Sequence, residues 1–72
     1  MKFKISGLYP QQKQWLLENV GGQEYLLNTG VGGTGWNFRW EPKLGYQLYI
    51  ADDRLATAFL LKFGHDRQIT NN

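Results

Sequence analysis

At 72 residues, with 42% hydrophobic and 15% aromatic residues, the chain has material for one small core and none for a second. The absence of cysteine excludes a disulfide framework and thiolate metal sites, and one histidine argues against structural zinc. Eight basic against six acidic residues leave a formal charge of +2, well below that of a protein that coats nucleic acid, and no apolar run is long enough to span a bilayer.

Residues 2–8 open with strict alternation, Phe3 and Ile5 against Lys2, Lys4 and Ser6, the period of a half-buried strand. Pro10 suits the first turn of a helix, where a missing N–H costs nothing, and Gly21-Gly22 stops it, so a helix is expected near 10–20. Its stripe is Lys13, Leu16, Leu17 and Val20; Trp15 falls roughly 140° away from the centre of that stripe. A short strand is expected at Glu24–Asn28, followed by a flexible glycine loop at Gly30–Gly35.

Trp36–Glu41 is the cleanest strand, with Trp36, Phe38 and Trp40 sharing a face that is expected to be core. Pro42-Lys43-Leu44-Gly45 reads as a hairpin connection into a strand at Tyr46–Ala51. Asp52 or Asp53 caps a second helix running to about Phe63, with Leu55, Ala56, Phe59, Leu60 and Phe63 as its stripe and Gly64 as its stop. Leu61 lies nearly opposite that stripe. The expected class is α+β: an antiparallel sheet of three to four strands with two helices on one face, a ferredoxin-like unit lacking its last strand. Residues 1–64 form that single domain and 65–72 a polar, mobile tail, although Arg67–Thr70 offers a candidate for the missing strand.

No catalytic constellation emerges. His65-Asp66 lacks a nucleophile in a recognisable turn around Ser6, and His65 is read instead as complementing the end of the second helix. Asp52-Asp53, with Glu41 across the hairpin, offers too few converging oxygens for a hard cation and is read as a helix cap. Gly30–Gly35 lacks both the Lys-Ser/Thr ending and the following helix of a phosphate loop. No cofactor, no metal and no enzymatic activity are expected.

Binding is the remaining chemistry. Trp15 either folds over the edge of the sheet or, with Leu61, is an apolar anchor on the helical face, since tryptophan is enriched among interface hot spots; Arg39 and the glycine loop around Gly32 and Gly33 would be a second surface. Lys2, Lys4, Arg39 and Tyr49 on the opposite sheet face form an alternative, weak site for single-stranded nucleic acid. A third reading is a small homo-oligomer that closes the glycine loop over an anion or nucleotide.

The run Gly45–Ile50, Asp52-Asp53, then Ala56, Ala58, Phe59, Leu61, Lys62, Phe63 and Gly64 resembles the closing signature of a family of small tailed-phage proteins. There a strand and an acidic turn precede an Ala-x-Ala-Phe-x-Leu-Lys/Arg-aromatic-Gly helix. Trp15-Leu16-Leu17-Glu18-Asn19-Val20-Gly21 is similar to the family's opening helix, so the resemblance covers most of residues 2–64. It implies a β-α-β-β-α fold and a phage context, in which a small protein inhibits or redirects a host or defence protein by covering its surface. The expected location is cytoplasmic, because MKFKISG is not followed by a signal-length apolar run. A monomer and a small homo-oligomer fit equally.

Overall fold

The computed structural model describes residues 1–64 and, for the backbone, 69–71. His65, Asp66 and Arg67, and the helix-end role expected of His65, lie outside the described residues. Along the chain run β1 (Lys2–Ile5), α1 (Pro10–Asn19), β2 (Tyr25–Leu27), β3 (Gly30–Gly33), β4 (Trp36–Glu41), β5 (Gly45–Ile50), α2 (Asp53–Phe63) and β6 (Ile69–Asn71). The class is α+β. All neighbouring strands are antiparallel, in the order β2-β3-β4-β5-β1, with the three-residue β6 added beyond β1.

Two expectations about the sheet are corrected. Three to four strands become five plus β6, because the glycine stretch is a strand and not a flexible loop. Within the tail expected to be mobile, Ile69–Asn71 is a strand that pairs with β1, whose outer edge offers backbone groups that any extended segment can satisfy. Without the β2-β3 hairpin, the order β4-β5-β1-β6 and the connections β1-α1-β4 and β5-α2-β6 are those of a split β-α-β-β-α-β unit. The hairpin widens that unit by two strands on one side.

Glycines make β3 possible. An added Cβ on Gly33 would strike the Trp36 indole, and one on Gly21 would strike the Thr34 carbonyl. The indole lies in the space so created, and its Nε1–H donates to the Gly21 carbonyl at 3.0 Å. The end of α1 is thereby tied to the Gly33–Trp36 turn, in which Gly35 adopts φ +80°. What reads as a flexible stretch is a slot cut to fit one ring.

The helices form for local reasons. Pro10 begins α1, and the Tyr9 N–H donates to Gln12 Oε1 at 2.9 Å, half of a capping box. Asp52 Oδ1 accepts from the N–H groups of Arg54 (2.8 Å) and Leu55 (3.2 Å), and Gly64 closes α2. Leu16, Ala56 and Phe59 are buried with Phe3, Ile5, Trp36, Leu48 and Ile50 in one core, which puts both helices on one face of the sheet. The folded surface is 4747 Å², close to the roughly 4,600 Å² that size scaling gives for this mass.

Trp15 departs from the helical projection. Its ring stands edge-on to Phe59 at 5.7 Å and to Phe63 at 6.3 Å, and it is half-buried against the core. Projection treats the sheet as the only neighbour of α1, whereas α2 lies alongside and covers a lateral position too. The shared aromatic face of β4 is corrected in the opposite sense. Trp36 is buried, Phe38 half-buried and Trp40 exposed, so the expected core strip is only partly core.

Candidate binding surfaces

Register assigns every sheet side chain to a face. On the helix side, Phe3, Leu48, Phe38, Val31 and Leu26 stand in one row across five strands. Trp40 and Tyr46 face each other in the next row. The helices cover the β1-β5 end of these rows, where Phe3 and Leu48 are fully buried, and exposure grows toward β2. Trp40 keeps 45% of its surface in solvent and Tyr46 44%, while Leu26 at the edge is almost bare. Phe38 stacks on Tyr46 with centroids 5.1 Å apart and planes 5° from parallel, so the rings form a rigid shelf beside the helices.

The other face, away from the helices, is mostly polar, and within it Gln47 is fully buried. One row carries Lys2, Tyr49, Asn37, Gly32 and Tyr25; the neighbouring row carries Lys4, Gln47, Arg39, Gly30 and, at the edge, the half-buried Leu27. Tyr25 and Tyr49 are 52% and 38% exposed. Tyr25 lies against the Gly32 backbone, and its hydroxyl donates to the Gly33 carbonyl at 3.3 Å, which fixes the ring. Lys2 Nζ reaches Glu41 Oε1 at 3.4 Å, and since β5 lies between β1 and β4, this ion pair bridges the strand that carries the buried Gln47.

The residues expected to bind fall in several places. Trp15 is engaged between the helices and offers no free anchor. Leu61 is exposed at 73% on α2. Gly32 and Gly33 are buried in the sheet beneath Tyr25 and Trp36, so they present no loop to a partner and none to close over an anion. Arg39 lies on the polar face with Lys2, Lys4 and Tyr49, which the fold does bring together. Asp52 is spent as the α2 cap and Glu41 on Lys2, and among the described residues no group of three His, Cys, Asp or Glu could hold a metal ion.

Trp40 and Tyr46 were missed as surface rings, because alternation assigns each to a face but only the reach of the helices decides which part of that face stays bare; Tyr25, on the opposite face, was missed because its place depends on β3. No protein-family model, curated protein or solved structure matches the chain. Among the described residues no helix is long and apolar enough to cross a membrane.

Proposed function

We propose that the chain is a non-enzymatic binding module that docks the Trp40–Tyr46 shelf onto a protein partner and acts by covering that partner's surface. The observation that carries this reading is the exposure of two cross-strand-paired aromatic rings, Trp40 and Tyr46, beside the half-buried Phe38 and Val31 and the exposed Leu26. Rigid aromatic side chains at the centre of an apolar patch with a polar rim are the composition of interface hot spots. The shelf replaces Trp15 and Leu61 as the leading anchor. The resemblance to small tailed-phage proteins supplies the partner class, a host or defence protein, and the outcome, inhibition or redirection.

The test is capture of a partner from lysate with wild-type bait and with Trp40→Ala/Tyr46→Ala bait side by side. A partner held by the wild type and lost by the double variant supports the reading. A partner held equally by both, or lost on Leu61→Ala instead, refutes the shelf as the interface.

A further inference from the structure

We infer that the opposite, polar face of the sheet is a platform for single-stranded nucleic acid, with Tyr25 and Tyr49 as stacking rings and Lys4 and Arg39 as phosphate contacts. The inference stands apart from the shelf, because the two surfaces are on opposite faces of the sheet.

Charge picks out this face. Lys2, Lys4 and Arg39 against Glu41 give it the chain's whole formal excess of +2, since the other five basic and five acidic residues of the sequence cancel. Lys2 is held by Glu41, whereas among the described residues neither Lys4 nor Arg39 has an ion-pair partner. Both flank Gln47 in one row, so two free cations stand on either side of the central strand β5.

The rings give the face its selectivity. Tyr25 on β2 and Tyr49 on β5 lie in the same row, three strands apart, hence about 14 Å between their backbones at the usual strand spacing. Between them Gly32 contributes no side chain and Asn37 an amide that can both donate to and accept from a base edge. Two exposed rings with an amide between them suit unpaired bases, which offer a π-face to each ring; the stacked bases of a duplex do not. An acidic protein surface would use the cations but has no need of the rings.

Fluorescence anisotropy of the full chain with labelled dT15 and rU15 tests this, with circular dichroism confirming that each variant is folded. Micromolar binding is expected at physiological salt, weakening about 7- to 18-fold from 50 to 200 mM as two to three phosphate contacts to a single strand require. Tyr25→Leu and Tyr49→Leu each lower affinity at least about 5-fold, the lower end of what one stacked base contributes. Lys4→Gln and Arg39→Gln weaken binding and flatten the salt dependence, while Lys62→Gln, which removes a charge from α2, changes little. Absence of binding, equal affinity for a duplex, equal affinity for polyglutamate, or unchanged binding by the two tyrosine variants would each overturn the proposal.

Discussion

Trp40 and Tyr46 are directly opposed in the β4–β5 register, yet each keeps nearly half its surface in water, 45% and 44%. Four residues earlier on the same face of β4, Trp36 is 1% exposed. One strand therefore passes from core to open surface within its own length. The cause is architectural: the β2-β3 hairpin extends the sheet sideways, and two helices of 10 and 11 residues are too few to roof it.

This contrast predicts different costs for the same substitution. Trp36→Ala removes a buried ring and its hydrogen bond to Gly21, and should lower stability by about 3–5 kcal/mol. Trp40→Ala loses a half-exposed cross-strand pair, worth about 0.2–1 kcal/mol. Urea unfolding followed by circular dichroism measures both, and equal losses would mean that Trp40 is core.

Trp15 should behave as a packing residue. Each edge-on aromatic contact contributes about 0.5–1.5 kcal/mol beyond area burial, and Trp15 makes two, to Phe59 and Phe63. Trp15→Ala is therefore expected to lower the melting temperature clearly, with Phe59→Ala more severe at about 3–5 kcal/mol because Phe59 is fully buried. A Trp15→Ala protein as stable as wild type would return that ring to the surface.

Glycine substitutions separate room from conformation. Gly33→Ala and Gly21→Ala force the Trp36 ring or the Thr34 backbone aside and should cost about 1–3 kcal/mol, as overpacking does. Gly7 has nothing within 4 Å of an added Cβ and no positive φ, so Gly7→Ala should be neutral or stabilising by up to about 1 kcal/mol. Thermal melts of the three variants rank them, and a destabilised Gly7→Ala beside a tolerant Gly33→Ala would reverse the assignment.

The parts of this fold legible in the sequence are those set by neighbours in sequence. Alternation in Phe3-Lys4-Ile5 and Trp36–Glu41, the Pro10 start, the Asp52 cap and the Gly64 stop all act within a few residues, and each places its element correctly. The β3 strand is different. Gly30–Gly33 carries no alternation beyond Val31 and glycine is a poor strand former; the pairing is favoured by rings from elsewhere, Trp36 and Tyr25, that need the space. Trp15 and Trp40 fail for a related reason, since a period reports a face but not how far a second helix or a roof extends over it. Of the candidate surfaces, the polar face of Lys2, Lys4, Arg39 and Tyr49 was legible because facing strands preserve parity; Tyr25 was not, because its place depends on β3.

The central claim, that the bare aromatic shelf is the interface, is tested most directly by quantifying one captured partner on wild-type and Trp40→Ala/Tyr46→Ala bait at equal loading. Loss of two central aromatic contacts should lower affinity by about 30-fold or more, leaving the partner nearly absent from the variant, while its unfolding curve shows a folded protein. Undiminished capture by a folded double variant would contradict the account.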